Sequence, residues 1–183
     1  IVGVGGQGTL LTSRILGGIT VAAGYDVKLS EVHGMAQRGG SVVTYVRYGD
    51  KVAEPIVEEG QADVLIAFEK LEALRAMPYL KKGGKMIVNV QEIDPMPVII
   101  GAAEYPENVL DELTSKGVSV DDLDALSLAE QAGSSKAVNI VLMGKAAKYF
   151  DIPYESWITA IENTVAPKFV EMNKKAFELG YNS

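Results

Sequence analysis

Gly3, Gly5 and Gly8 stand in Gly-x-Gly-x-x-Gly spacing between a β-branched run, Ile1 to Val4, and a stretch from Thr9 to about Ala23 with apolar residues at helical spacing. A strand that turns through glycines straight into a helix commits the chain to an α/β fold with this turn at one edge of its sheet. The turn Gly3-Val4-Gly5-Gly6-Gln7-Gly8 aims backbone N–H groups and the positive end of the helix at one point, which suits a phosphate or another anion. The same glycines also serve a tight turn and close helix–strand packing with nothing bound, and the spacing alone does not separate the two uses. The chain opens inside an apolar strand pattern, so residues ahead of Ile1 are expected.

Tyr25 to Val32 alternates as a second strand. A dinucleotide-binding domain carries a ribose-binding acid near the end of that strand and then enters a helix. Glu31 has the acid's place, but a glycine-rich loop follows it: Glu31-Val32-His33-Gly34-Met35-Ala36-Gln37-Arg38-Gly39-Gly40. Ser41 to Tyr48 then reads as a third strand, and so short a connection favours antiparallel pairing over a crossover. The nucleotide fingerprint is therefore incomplete. Arg38, between Gln37 and the Gly39-Gly40 pair, suits a fork for a carboxylate or phosphate, and equally an ion pair with Glu31. His33 has the acid–base range of an imidazole, but a lone histidine also serves plain hydrogen bonding, and no catalytic role is assigned to it.

Val52 to Val57 reads as a short edge strand bearing Pro55. Asp63 to Phe68 is a continuous apolar run of the buried parallel kind, followed by a helix from Glu69 to Met77 that stops at Pro78. Glu69 falls on the edge where open sheets bind ligands, and its first-turn position makes it equally a helix cap. Lys82-Gly83-Gly84-Lys85 turns into a strand from Met86 to Val90, and Pro95 and Pro97 lead into Val98-Ile99-Ile100. A short helix from Glu107 to Lys116 precedes a small strand, Val118 to Val120. From Leu126 onward the pattern is mostly helical. Ser134-Ser135 caps a helix running to about Phe150, in which Gly144 and alanines allow close packing, and Lys136 and Asn139 share a face. Pro153 opens the next helix and Pro167 divides it. Trp157, Phe169, Met172 and Phe177 read as core or subunit contact. The expected whole is one domain over residues 1–183: a three-layer α/β/α, Rossmann-like mixed sheet of at least five strands, with an antiparallel strand pair and a helical C-terminal layer.

Composition removes several chemistries. With no cysteine and one histidine in 183 residues, the chain offers no disulfide, no thiolate nucleophile, no cysteine ligands for an iron–sulfur cluster and no multi-histidine metal site. A formal net charge of −7 argues against nucleic acid or an anionic membrane as partner. No apolar run has the length of a membrane span and no secretory signal is present, so a cytoplasmic address is expected. At 48% hydrophobic residues, a surface partly covered by a partner is also expected.

The chain resembles the gamma-type domain of 2-oxoacid:ferredoxin oxidoreductases, nearest to the beta subunits of the indolepyruvate branch. The resemblance rests on Gly3 to Gly8, Ser30 to Val42 with its Gln37-Arg38-Gly39-Gly40 segment, Ala62 to Ala67, Tyr79 to Gly84 and Asn139 to Gly144. It implies a subunit, inactive alone, of a hetero-oligomeric enzyme that oxidatively decarboxylates indolepyruvate and other arylpyruvates to aryl-acetyl-CoA and passes the electrons to ferredoxin. Thiamine diphosphate, magnesium and [4Fe–4S] clusters would belong to the partner alpha subunit. Gly3, Gly5, Gly6, Gln7 and Gly8 would form a turn facing an anion or CoA, while Glu31, His33, Gln37, Arg38, Gly39, Gly40 and Asn139 would line the shared site or subunit boundary. Pyruvate or 2-oxoglutarate as substrate, and a freestanding nucleotide-binding module, are the alternatives.

Overall fold

The computed structural model describes residues 1–34 and 39–183. Among them, six strands form one mixed sheet in the order β2-β3-β1-β4-β5-β6. The elements are β1 (Val2–Val4), α1 (Thr9–Ala22), β2 (Asp26–His33), β3 (Ser41–Gly49), β4 (Ala62–Ala67), α2 (Lys70–Ala76), β5 (Leu80–Asn89), α3 (Met96–Ile99), α4 (Val109–Ser115), β6 (Ser119–Leu123), α5 (Ala125–Ala132), α6 (Val138–Ala147), α7 (Tyr154–Thr164) and α8 (Val170–Tyr181). β2, β3 and β1 pair antiparallel, while β1, β4, β5 and β6 run parallel. This is the expected Rossmann-like mixed sheet with its antiparallel pair.

The apolar patterns explain the layers. β4 and β5 are buried on both faces, so their side chains alternate between two cores. Ile66, Phe68 and Ile87 face a large core shared with α1 and with α5 to α8, around Trp157 and Phe177. Leu65, Ala67, Met86 and Val88 face a smaller core closed by α2 and α4. Because α1 and α2 cover opposite faces, the chain changes side between β1 and β4, which is where open α/β sheets present a ligand crevice.

Gly144 sets how closely the C-terminal layer packs. A Cβ on Gly144 would overlap the carbonyl oxygen of Phe177, and one on Gly180 would overlap that of Val141, so α6 and α8 cross backbone to backbone. The expected close contact at Gly144 is therefore present, with Gly180 as its counterpart. Pro167 lies in a short 3-10 turn that separates α7 from α8.

One local expectation is corrected. Residues 52–57 form no strand: Val52 is buried and its N–H donates to the Asp26 carboxylate at 2.9 Å, so this segment is tied down by a side chain rather than by a ladder. Val98 and Ile99 lie in the one-turn helix α3 that Pro95 caps, and Ile100 ends it.

Candidate functional site

The glycine turn lies at the carboxyl end of β1, at the change of side. Gly3 is required by crowding, since a Cβ there would meet Phe68 Cβ at 2.9 Å and Gln7 Oε1 at 2.8 Å. Gly6 and Gly8 have φ of 102° and 90°, a backbone region that L side chains rarely adopt. Gly8 caps α1 without a side-chain acceptor, and its carbonyl receives the N–H groups of Leu11 and Thr12. Among the described residues, the N–H groups of Gly6, Gly8, Thr9 and Leu10 have no acceptor. The turn and the first turn of α1 thus hold backbone donors that no described group satisfies, the type of donor an anion can use.

Gln7 faces inward. Its Oε1 accepts the N–H of Val4 at 2.7 Å, and its Nε2 donates to the carbonyl of Phe68 at 3.1 Å and to Gln91 Oε1 at 3.3 Å. Asn89 Nδ2 reaches the same Phe68 carbonyl at 3.1 Å, and Asn89 Oδ1 receives the N–H of Ala125. The ends of β1 and β4 are therefore bridged by the chain's own amides, which occupy the crevice between them.

The second loop is fastened to the first. Gly5 donates its N–H to the carbonyl of Gly40 at 2.9 Å. Glu31 is exposed and accepts the hydroxyls of Thr44 at 3.1 Å and of Thr9 at 3.5 Å, which links the end of β2 to the first turn of α1. Gly39 adopts φ of 78° on the return into β3. Asn139, in the first turn of α6, lies against Gly8, with Nδ2 at 3.2 Å from where a Cβ on that glycine would stand. The structure thus brings Gly3 to Gly8, Glu31, Gly40 and Asn139 onto one edge. His33 is exposed, with Nδ1 3.1 Å from the Gly34 carbonyl, and joins no other site residue among those described. Gln37 and Arg38, expected at the shared site, lie outside the described residues. Lys136 is exposed whereas Asn139 is buried, so the two do not share one environment as their spacing suggested.

Acidic residues behind the turn were only partly legible. Glu69 is buried and accepts the N–H of Glu72 at 2.9 Å, the helix-cap role its position allowed. Its other oxygen accepts the N–H of Ile93 at 3.1 Å and the hydroxyl of Tyr105. Burial first, and then the Glu69 carboxylate, raise the Tyr105 phenol far above its ordinary value. Glu72, also buried, accepts Ser41 Oγ at 2.5 Å and Arg75 at 2.6 Å, and so ties the start of β3 to α2. End-of-strand position signalled Glu69, but nothing local in the sequence signalled Tyr105 or the amides Asn89 and Gln91. A cleft of about 820 Å³ lies at the opposite edge beside Tyr45, Tyr79 and Asp63, away from these groups.

A family model described as pyruvate ferredoxin/flavodoxin oxidoreductase matches residues 1–183. The chain belongs to this family. The indolepyruvate oxidoreductase subunit IorB of Archaeoglobus fulgidus is 44% identical over 186 residues, covering 100% of this chain and 92% of that protein. Among solved structures, the keto/oxoacid ferredoxin oxidoreductase gamma subunit of Geobacter sulfurreducens superposes with TM-score 0.72 at 24% identity, covering 99% of this chain and 94% of the other. The pyruvate oxidoreductase subunit PORC of Thermotoga maritima gives TM-score 0.75 at 20% identity, covering 100% and 93%. These likenesses bear out the expected family and the mixed α/β fold. No helix among the described residues of this pyruvate ferredoxin/flavodoxin oxidoreductase family member is long and apolar enough to cross a membrane.

Proposed function

We propose that this chain is the subunit of a cytoplasmic indolepyruvate-type oxidoreductase that completes the substrate and CoA site against a partner bearing thiamine diphosphate, magnesium and [4Fe–4S] clusters. The observation that carries the reading is the 44% identity to an indolepyruvate oxidoreductase subunit over the whole of this chain. In the reaction, an arylpyruvate loses its carboxylate as CO2, the remaining acyl group bonds to the CoA sulfur, one proton is released and two electrons go to ferredoxin one at a time. Thiamine diphosphate supplies the carbanion-stabilising chemistry and the clusters supply the electron path. With no cysteine, this chain does not fit as the host of the clusters.

What its own residues do is bind and orient. The unpaired N–H groups of Gly6, Gly8, Thr9 and Leu10 suit a phosphate of CoA at the N-terminal end of α1. Arg38 enters as the charged fork of the neighbouring loop, and Asn139 fixes the turn through its contact with Gly8. The filled crevice between β1 and β4 favours this reading over a freestanding dinucleotide-binding module.

Kinetics of the complex with its partner test the assignment. The Gly8→Ala variant, strained at φ of 90° and pressed on Asn139, is expected to raise KM for CoA at least tenfold while KM for indolepyruvate stays within twofold. Turnover of pyruvate or 2-oxoglutarate in preference to indolepyruvate contradicts the substrate assignment. An unchanged KM for CoA contradicts the role of the turn.

A further inference from the structure

Residues 93–105 form a hoop that follows β5 on the same sheet edge as the glycine turn, and its tip is apolar. Met96, Ile99 and Ile100 are exposed by 64%, 64% and 68%, and neither hydrophobic core includes them. Three neighbouring apolar side chains this open to water are the usual mark of a surface that something covers.

The tip is not a loose loop. Its backbone is closed by Ile99 N–H to Pro95 carbonyl at 3.1 Å, Ile100 to Met96 at 3.0 Å, Gly101 to Val98 at 2.9 Å and Ala102 to Pro97 at 2.8 Å. Gly101, at φ of 73°, ends the helical turn. Both feet of the hoop are held by Glu69, through the N–H of Ile93 and the hydroxyl of Tyr105. Glu69 follows Phe68, whose carbonyl anchors Gln7 of the glycine turn. The knob therefore stands preorganised on the same edge as the candidate site, which lowers the ordering cost of docking there.

Charge narrows the partner. Residues 91–108 contain Glu92, Asp94, Glu104 and Glu107 and no lysine, arginine or histidine; Lys70 of α2 pairs with Glu92, which leaves Asp94, Glu104 and Glu107 as the acid of the rim. An apolar centre within an acidic rim is complementary to an apolar socket rimmed by lysines and arginines. From this geometry we infer that Met96, Ile99 and Ile100 form a docking knob for the thiamine-bearing partner subunit, which meets the knob and the glycine turn with one continuous basic-rimmed face. The inference rests on the proposed function, since it names the partner of that same edge.

The full chain, co-expressed with that partner, gives the test. Ile99→Asp and Met96→Asp are expected to weaken the dissociation constant of the complex at least tenfold and to leave the melting temperature of the isolated chain unchanged. Val21→Asp, at an apolar position 60% exposed at the far end of α1, is expected to leave it unchanged. A photo-crosslinking p-benzoylphenylalanine at position 99 is expected to join the partner subunit. Undiminished affinity of both knob variants, in a complex the parent chain forms normally, overturns the docking role and leaves the proposed function standing. So does a crosslink between two copies of this chain, a lowered melting temperature of the variants alone, or an equal effect of Val21→Asp. Failure of the parent chain to bind the partner overturns both.

Discussion

Tyr105 donates its hydroxyl to the buried carboxylate of Glu69 while its oxygen accepts the N–H of Leu71 at 3.1 Å, so one phenol ties the return of a long excursion to the start of α2. Tyr105→Phe removes both bonds and leaves the Leu71 N–H without its acceptor. The expected loss is about 1–2 kcal/mol in urea unfolding at neutral pH. Because the phenol's folded pKa is raised, its contribution is complete below its ordinary value near 10 and is lost only above it. The deficit of the variant is therefore expected to be flat from neutrality to about pH 9.

Gln7 is the latch of the glycine turn, and the chemistry of its two ends can be separated. Gln7→Glu keeps the acceptor for the Val4 N–H but replaces the donor with an anion facing the carbonyl of Phe68 and Gln91 Oε1. It is expected to lower stability by about 2–3 kcal/mol, more than the roughly 1–2 kcal/mol of Gln7→Ala, since a like-signed contact is added to a lost bond. Thermal unfolding of the two variants side by side checks the order. Equal stability of parent and Gln7→Glu would contradict the inward placement of this side chain.

The crossing of α6 and α8 leaves no room for a methyl group. Gly144→Ala or Gly180→Ala drives a Cβ into a backbone carbonyl and is expected to cost about 3 kcal/mol or more, far above the gain in helix propensity of about 1 kcal/mol. Gly18, with open space where its Cβ would be, is the control: Gly18→Ala is expected to stabilise α1 by a fraction of that gain. Melting temperatures of the three variants give the comparison.

On β6, Asp121 faces Lys145 at 2.8 Å and accepts the hydroxyl of Tyr149. Partial burial pushes its carboxyl up, but bonds from Lys145 and Tyr149, with the charges of Lys145 and Lys148, outweigh it and hold the pKa below the usual range. The stabilisation is therefore present above the unfolded carboxylate value near 4 and is lost as pH falls through the folded value. Tyr149 is raised to about 12, by burial first and then by Asp121, so its share persists to pH 10 and fades as pH approaches 12. Asp121→Asn, which leaves the buried Lys145 ammonium without its counter-charge, is expected to cost roughly 2 kcal/mol at pH 7, less than a fully buried pair because Asp121 is partly open to water. The difference from the parent chain shrinks in acid, and urea unfolding from pH 7 down to pH 3 measures it.

The parts of the fold that were legible are those set by local pattern. Gly3 to Gly8 announced a strand–turn–helix, the continuous apolar run at Asp63 to Phe68 a buried parallel strand, and the brevity of the loop before Ser41 an antiparallel neighbour. Gly144 could be read as a close-packing position, but its partner Gly180 could not, because a helix crossing joins residues far apart in the chain. Residues 52–57 misled because β-branched residues suit a strand, whereas the local winner is one hydrogen bond to Asp26. Spacing marked Gln7 as part of a ligand turn yet carried no sign that its amide would fill the crevice, since Phe68 and Gln91 reach it only through tertiary structure. Tyr105 escaped for the same reason, being 36 residues from Glu69.

As proposed, this chain completes an oxidising site that it does not itself contain. Indolepyruvate- and CoA-dependent reduction of a ferredoxin-type dye is to be measured for the purified chain, for the proposed thiamine- and iron–sulfur-bearing partner and for the two together. Activity is expected only for the complex, with aryl-acetyl-CoA and CO2 formed in equal amounts. Dye reduction by the chain alone, or full activity of the partner without it, would contradict the proposal.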